Sequence, residues 1–295
     1  MDQRIINLFD EYTHNRSVGP DLNRENFLKR LAQLVGGTAA ALAVLPLLEV
    51  NYAQAATVPD HDDNILTERV EYPGDNMTMK GYLARPKAPG KYPAVVIIHE
   101  NRGLNPHIED VARRAALAGF VALAPDALSA AGGTPTDDRS VGPDQMRELF
   151  GKLDAAQTRN NFVKGVEYLK NRPDSTGKVG SVGFCWGGAM ANQLAVNSPD
   201  MKAAVAFYGR QPDAADVSKI KGAVQLHYGG MDERVNAGIP AYEEALKKAN
   251  VPYELYIYEG AQHAFHNDTA PTRFNEAAAK LAWQRTMAFL KGKLA

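Results

Sequence analysis

A glycine-rich turn around the single cysteine constrains the fold of this 295-residue chain more than any other segment. Cys185 lies in the sequence G-F-C-W-G-G, which is a G-x-nucleophile-x-G pattern with a thiol in place of the usual serine. The residues before it predict a short strand and the residues after it predict a helix. Such a sharp turn needs glycines, because the nucleophile takes a strained backbone conformation and its neighbours pack closely. The helix N-terminus also favours a thiolate at this position.

The two residues that such a nucleophile needs follow it in the chain. Asp232 comes after the apolar, strand-like segment Ala223–Tyr228, and His263 lies on a loop after the alternating segment Tyr253–Tyr258. The order nucleophile, acid, histidine is that of hydrolases with this kind of turn. His263 would take the thiol proton, Asp232 would fix the histidine tautomer, and the thiolate would attack a carbonyl carbon to form a thioester.

Each of these residues also has a simpler interpretation. A lone cysteine is usually a small buried apolar residue, an aspartate in a glycine-rich loop is often a turn residue, and His263 could be a surface histidine. A metal site made of His263, His266 and Asp268 is a further alternative. No additional Cys or His cluster completes its coordination shell. The ordered triad favours catalysis, so we predict no metal and no organic cofactor, and we expect His266 to line the pocket or to cap the next helix.

These motifs resemble those of the dienelactone hydrolase family, the carboxymethylenebutenolidases of the α/β-hydrolase superfamily. The likeness extends from about Leu66 to the C-terminus. It rests on G-F-C-W-G-G at Cys185, G-G-M-D at Asp232, G-A-Q-H-A-F at His263, and V-V-I-I-H-E-N-R-G-L-N from Val95. The resemblance implies a hydrolase that acts on a small ester or lactone.

The resemblance also implies further site residues. Glu100, in the last of these motifs, would contact the resting cysteine and take its proton when substrate displaces it. The backbone N–H groups of Asn101 and Trp186 would form the oxyanion hole, because two fixed amide donors stabilise the charge that develops on the carbonyl oxygen. The residues expected to contact substrate are Tyr208, Arg102, His266 and Asn267.

One position departs from the family pattern. The founding enzymes hold the carboxylate of the dienelactone with two arginines, one of which lies shortly after the catalytic histidine, where this chain has Asn267. We therefore expect a preference for neutral or less anionic esters and lactones. The second arginine would fall within the segment Asp137–Arg159, where the candidates are Arg139, Arg147 and Arg159.

The distribution of apolar segments predicts an α/β-hydrolase fold. Two antiparallel-type strands, near Val70–Tyr72 and Met77–Ala84, precede regularly alternating strands and helices. Such alternation predicts a mostly parallel central sheet with helices on both faces and a ligand site beyond the carboxyl ends of its strands. We predict strands near 94–99, 121–124, 179–183, 203–207, 224–228 and 253–258. Helices are predicted near 108–118, 159–171, 188–197, 239–248 and 271–290, with a loop beside the site over 128–142.

Composition narrows the class of partner. The chain has 33 Lys and Arg residues against 34 Asp and Glu residues, for a formal net charge of −1. Because it has no basic stripe, we expect no nucleic-acid partner. One cysteine allows no internal disulfide, so cysteine usage does not indicate a redox compartment. We expect a small-molecule substrate and a homo-oligomer, a dimer.

The first 60 residues have a different character from the remainder, so we divide the chain into a helical extension over 1–60 and a catalytic domain over 61–295. Leu31–Leu48 is largely apolar and is followed by the small residues A-Q-A-A at 53–56, as in an export signal with a cleavage site. Glycines and a proline interrupt the run, which argues against a stable membrane span. We predict a degenerate signal retained as helices that promote self-association in a cytoplasmic protein. The alternative is a functional export signal and a periplasmic protein.

Two other function classes stay open at this point. One is a thioesterase or a peptidase on the same scaffold, which a long acyl tunnel or a peptide groove would reveal. The other is a non-catalytic receptor for a small lactone that has kept a relic triad. Cys185, Asp232 and His263 are all present, which favours the enzyme.

Overall fold

The computed structural model of the chain describes residues 1–14, 22–48, 57–135 and 142–295. Within that part the strands are β1 (Ile65–Pro73), β2 (Thr78–Pro86), β3 (Tyr92–Ile98), β4 (Val121–Pro125), β5 (Ser175–Phe184), β6 (Met201–Phe207), β7 (Ala223–Gly229) and β8 (Tyr253–Tyr258). They form one sheet in the order β1-β2-β4-β3-β5-β6-β7-β8. The pairs β1–β2 and β2–β4 are antiparallel, and the other neighbours are parallel. The predicted mostly parallel sheet is confirmed.

Helices cover both faces of this sheet, as predicted. Those in the described part are α1 (Gln3–His14), α2 (Arg24–Val35), α3 (Thr38–Leu48), α4 (Pro106–Leu117), α5 (Pro143–Gly151), α6 (Ala155–Lys170), α7 (Trp186–Asn197), α8 (Glu233–Asn236), α9 (Ile239–Lys248) and α10 (Glu276–Leu294). Side chains of α4 and α10 belong to one core cluster, and those of α6, α7 and α9 to the cluster on the opposite face. Because both faces are covered, the central strand β3 is a continuous apolar run, fully buried from Ala94 to Ile98.

Two predicted segments differ from the structure, one at the start of the last helix and one in the loop over 128–142. The last helix does not begin at Pro271 but at Glu276, because the side chain of Asn275 accepts the backbone N–H of Ala278 and caps the helix there. The loop predicted over 128–142 was only partly correct. Its start contains the 3-10 turn Ala127–Ala131, and residues 136–141, including Arg139, lie outside the described residues. Helix α5 follows directly and was not predicted.

The N-terminal extension is helical, as expected, over α1, α2 and α3. These helices share a small core of their own, in which the rings of Tyr12 and Phe27 stack at 4.3 Å between centroids. Leu31, fully buried, belongs to the same core. The cluster therefore covers part of the apolar run that motivated the prediction of self-association. That prediction stays open, and the small residues at 53–56 lie outside the described residues.

The length and hydropathy of the helices can be compared with those that a membrane-spanning helix needs. Among the described residues, no single helix is long and apolar enough to cross a bilayer. The segments Arg24–Val35 and Thr38–Leu45 meet that criterion only as a pair, and the chain bends by 106° between them.

The extension joins the catalytic part at a buried anchor. The backbone N–H of Val58 donates to Asp110 Oδ1 at 2.7 Å, and Arg113 Nε donates to the carbonyl of Val58 at 2.9 Å. Both side chains belong to α4. The chain is thus fixed to the sheet layer two residues before the predicted boundary at residue 60, which stays a prediction.

The junction between β5 and α7 has no room for side chains on two of its glycines. A Cβ atom at Gly183 would lie 1.9 Å from the carbonyl oxygen of Gly187, and one at Gly187 would lie 2.3 Å from that of Ile98 in β3. Both obstacles are backbone atoms, which cannot rotate away. The glycines of the motif therefore let the first turn of α7 contact the end of β3 directly.

We predict that Gly183→Ala lowers the free energy of unfolding by about 3 kcal/mol or more, because overpacking against backbone forces the chain to move. Gly292→Ala is the matched control, since a Cβ there meets nothing within 4 Å and the residue lies in α10. That change should leave stability unchanged or raise it by up to about 1 kcal/mol. Denaturant unfolding of the two variants measures both effects, and similar stabilities would contradict the prediction.

Candidate active site

The four predicted catalytic residues and Tyr208, predicted to contact substrate, lie at the carboxyl edge of the sheet. Glu100 follows β3, Cys185 follows β5, Tyr208 follows β6, Asp232 follows β7, and His263 lies beyond the end of β8. Parallel strands present their carboxyl ends at one edge, so these residues converge although they are far apart in sequence. All five are buried, with relative exposures of 6% or less.

Cys185 sits in the strained turn that its motif predicts. Its backbone has φ 54° and ψ −113°, and its N–H donates to the carbonyl of Phe207 at 3.0 Å. Positive φ recurs at Tyr208 (39°) and Ala264 (64°), beside the other site residues. Non-glycine residues in such conformations cost on the order of 1–3 kcal/mol each and concentrate at functional sites.

His263 is aligned by Asp232. Its Nδ1 lies 2.6 Å from Asp232 Oδ2, with side-chain exposures of 3% and 4%, and its ring lines the same two cavities as Cys185. Burial alone would lower the pKa of His263, but attraction to Asp232 and to Cys185 outweighs it and raises that pKa to about 10. Burial likewise opposes ionisation of Asp232, yet the pKa of this carboxyl is lowered by His263. Asp232 thus stabilises the protonated form of the His263 ring.

Glu100 is held by two donors. Asn267 Nδ2 donates to Oε2 at 2.7 Å, and the Tyr208 hydroxyl lies 3.3 Å from Oε1. Burial and the nearby Glu100 charge raise the pKa of Tyr208 well above its ordinary value, which keeps its hydroxyl a neutral donor. Asn267 lines the smaller cavity, and its amide nitrogen also positions Glu100, so its predicted contact with substrate stays a prediction.

The two predicted oxyanion donors belong to different segments: Trp186 follows Cys185, and Asn101 follows Glu100. Trp186 is the first residue of α7, where backbone N–H groups have no partner within the helix. Asn101 begins the turn after Glu100, and its side chain donates to the carbonyl of Thr13 at 3.0 Å. Helix α1 therefore contacts the loop that carries one of the two donors.

His99 supports the same loop and was not singled out from the sequence. Its Nδ1 lies 2.6 Å from the carbonyl oxygen of Glu100, and its Nε2 accepts the N–H of Ala127 at 3.1 Å. The ring stacks on Trp186 with centroids 5.4 Å apart. Burial lowers the pKa of His99, so the neutral ring can accept one of these bonds and donate the other.

Two cavities meet at Cys185 and His263. The smaller has a volume of about 30 Å³ and the larger about 580 Å³. Both are also lined by Thr13, Asn101 and Arg102. The smaller one is completed by Phe9, Leu48, Glu100, Ala264, Asn267, Ala270 and Arg273. The larger one includes Trp186 and Tyr208, and its basic residues are Arg102, Arg147, Arg210 and Arg234.

Two predicted residues lie elsewhere. His266 is 2% exposed, packs against Phe184, Phe207 and Trp283, and lines neither cavity. The following helix is capped by Asn275, so the expectation that His266 lines the pocket or caps that helix was wrong. Arg159, on α6, also lines neither cavity.

The alternative metal site does not assemble. Asp268 forms ion pairs with Arg114 and with His107, whose Nδ1 lies 2.9 Å from Oδ1. Its pKa is lowered by those two partners, against the effect of burial. No group of three or more His, Cys, Asp or Glu side chains among the described residues is placed to hold a metal ion.

Sequence reasoning missed the part of the site that comes from the N-terminal helices. Phe9 and Thr13 of α1 and Leu48 of α3 line the smaller cavity. The spacing of Ile5, Phe9 and Tyr12 indicates an apolar helix face. Nothing in that pattern says which surface the face contacts, so the signal predicts the helix but not its position.

Comparisons with known proteins agree with this arrangement. The profile of the Dienelactone hydrolase family matches residues 79–294. A provisionally named carboxymethylenebutenolidase from Saccharolobus solfataricus is 32% identical over 260 residues, which span 77% of this chain and 98% of that protein. A provisionally named hydrolase fragment from Escherichia coli is 52% identical over 117 residues, 39% of this chain and 96% of the fragment. The crystal structure of a provisionally named dienelactone hydrolase from Klebsiella pneumoniae has a TM-score of 0.69 at 29% identity, covering 77% of this chain and 98% of that one.

The His263–Asp232 pair makes stability depend on pH. Since the folded-state pKa of His263 is raised to about 10, its contribution is complete below the unfolded value, about 6.5, and is lost as pH rises through about 10. We predict that Asp232→Asn, which keeps a side-chain acceptor for the backbone N–H of Val235, lowers the pKa of His263 by at least about one pH unit.

NMR titration of the His263 ring protons measures this shift directly. Asp213→Asn is the control, because Asp213 is an exposed acid on the turn before Ala214–Lys219 and should leave the titration unchanged. A His263 pKa that is the same in Asp232→Asn and in the unsubstituted chain would contradict the assignment of Asp232.

Proposed function

This chain belongs to the dienelactone hydrolase family, and on that basis we propose that it hydrolyses small esters or lactones through a Cys185–His263–Asp232 triad. The observation that carries the proposal is the buried hydrogen bond between Asp232 and His263 beside Cys185, where these residues follow β7, β8 and β5 at one edge of the sheet. A cavity of about 580 Å³ beside Cys185 fits a small-molecule substrate. No observation favours a peptide or a long acyl chain.

The proposed reaction proceeds in two halves. The Cys185 sulfur, its proton transferred to His263, attacks the carbonyl carbon, and the developing oxyanion accepts hydrogen bonds from the N–H groups of Asn101 and Trp186. The C–O bond to the alcohol then breaks, and His263 protonates the leaving oxygen. In the second half His263 takes a proton from water, whose oxygen attacks the thioester and releases the carboxylic acid and the thiol.

Glu100 is proposed to keep the Cys185 thiol protonated in the resting enzyme. It lines the smaller cavity together with Cys185, and the donors Tyr208 and Asn267 fix its carboxylate there. Each carboxylate oxygen keeps a second acceptor site, so Glu100 can accept a hydrogen bond from the resting thiol without losing either bond. The role that the family resemblance implies for Glu100 thus stays a prediction, and this arrangement supports it.

The competing class is a non-catalytic receptor that binds a small lactone. The strained Cys185 backbone and the aligned His263 favour an enzyme, because a receptor needs neither. Turnover of an activated aryl ester separates the two possibilities, since a receptor would release its ligand unchanged.

We predict that Cys185 carries the acyl group during turnover. Mixing the protein with a slowly hydrolysed ester and measuring intact mass should show one acyl adduct, and peptide mapping should place it on Cys185. Cys185→Ala should reduce kcat by roughly a thousandfold or more, because the covalent route is lost. Cys185→Ser tests the thiol itself, since a hydroxyl is far less easily deprotonated. Near-normal turnover by Cys185→Ala would overturn the assignment.

We also predict a preference for substrates without a free carboxylate. Asn267 is neutral and its amide nitrogen is bound to Glu100, so the position where the founding enzymes have an arginine offers no cation. The measurement is kcat/KM for matched esters with and without a carboxylate. A preference for the acid above about tenfold, which equals ~1.4 kcal/mol of transition-state binding, would contradict this. Substitution of the arginines in the larger cavity, Arg102, Arg147, Arg210 and Arg234, would then locate the replacement cation.

A further inference from the structure

Helix α1 lies against the mouth of the active site and is held there by an ion pair of low exposure. Arg273 Nη2 lies 2.6 Å from Asp10 Oδ1, with side-chain exposures of 8% and 12%. The same guanidinium lies over the ring of Phe9, 5.1 Å from its centroid. Arg273 belongs to the segment between His263 and α10, so α1 is bound to the chain that follows the catalytic histidine.

Three more contacts hold the same C-terminal half of α1. The Tyr12 hydroxyl donates to Asp144 Oδ2 at 2.8 Å, and the guanidinium of Arg147 lies 4.7 Å from the centre of the Tyr12 ring. Asn101, a proposed oxyanion donor through its backbone, binds the carbonyl of Thr13 through its side chain. Helix α1 is therefore connected to α5, to the loop after β3 and to the segment after His263.

Helix α1 supplies part of the wall of the smaller cavity. Phe9 and Thr13 of α1, with Leu48 of α3, face Cys185, Glu100 and His263 across a space of about 30 Å³. A volume of that size accommodates about one or two water molecules. Phe9, Thr13 and Leu48 lie outside residues 79–294, the stretch that the family profile matches. This part of the cavity wall is therefore not described by the family profile.

We propose that α1 is a wall of the substrate site which sets specificity by size. The group of the ester that enters the smaller cavity is limited to a few heavy atoms by Phe9, while the rest of the molecule occupies the larger cavity. This inference rests on the proposed ester hydrolysis and names its substrate class: esters or lactones with a small group on one side of the carbonyl.

The first test compares Phe9→Ala with Leu8→Ala. Both residues are buried in the N-terminal core, but only Phe9 lines the smaller cavity. Two ester series are used, one with a lengthening acyl chain and one with a lengthening alcohol. In the series whose longer members the unsubstituted enzyme rejects, Phe9→Ala should raise kcat/KM for them by about tenfold relative to the shortest, since one methylene can decide that much.

Two further variants separate an effect on size selection from a general loss of stability. Leu8→Ala should leave the length profile unchanged, and Phe9→Leu, which preserves more of the core, should give an intermediate profile. If Phe9→Ala leaves both profiles unchanged, or if Leu8→Ala changes them equally, α1 does not select by size, even though the hydrolase function stands.

The second test needs no ester turnover. Cys185 is the only cysteine in the sequence, so alkylation by neutral iodoacetamide and by its bulkier N-benzyl analogue can be followed by intact mass. Asp10→Asn weakens the ion pair with Arg273 and should raise the ratio of the bulky to the small reagent's rate by roughly threefold or more. Glu25→Gln removes the exposed ion pair with Lys29 in α2 and should not. An unchanged ratio in Asp10→Asn would overturn the proposal, whether or not the protein hydrolyses esters.

Discussion

The direct contact between the first turn of α7 and the end of β3 is the constraint on which the site depends. Gly187 allows the two backbones to meet, and that contact brings Cys185 beside Glu100 and Asn101, which follow β3. A nucleophile and its oxyanion donors need relative positions fixed to a fraction of an ångström. Here that precision comes from backbone packing, and part of the folding free energy is used to hold Cys185 at φ 54°.

Charge is concentrated around this rigid junction. The His263–Asp232 and Arg273–Asp10 pairs are both nearly buried, and a buried pair adds little net stability because desolvation offsets attraction. Removing one partner destabilises the fold by far more than the intact pair stabilises it, because a buried charge is left without a partner. Both pairs determine position: one orients the His263 ring, and the other fixes the direction from which α1 approaches the site.

The sequence was sufficient where geometry is local. The strands, and the convergence of Cys185, Asp232 and His263 beyond their ends, could be predicted because each motif combines an apolar run with the turn chemistry that ends it, and parallel strands share one edge. The roles of Asn267 and His266 could not, because both depend on contacts across the fold: Asn267 binds Glu100, and His266 is enclosed by aromatic rings. The start of α10 was missed because Asn275 was not recognised as its cap.

The position of α1 has a consequence for the order in which the molecule acquires its structure. The hydrogen bonds that attach this helix join residues 88 and 132 positions apart, and its ion pair joins Asp10 to Arg273. Contacts that close long loops form late, because the entropy of closure must be lost before the contact can compensate. Synthesis releases α1 first, yet it can dock only after the chain through Arg273 has been made. Until α1 docks, the pocket around Cys185 lacks the wall that Phe9 and Thr13 supply, and the thiol is then more accessible to oxidants.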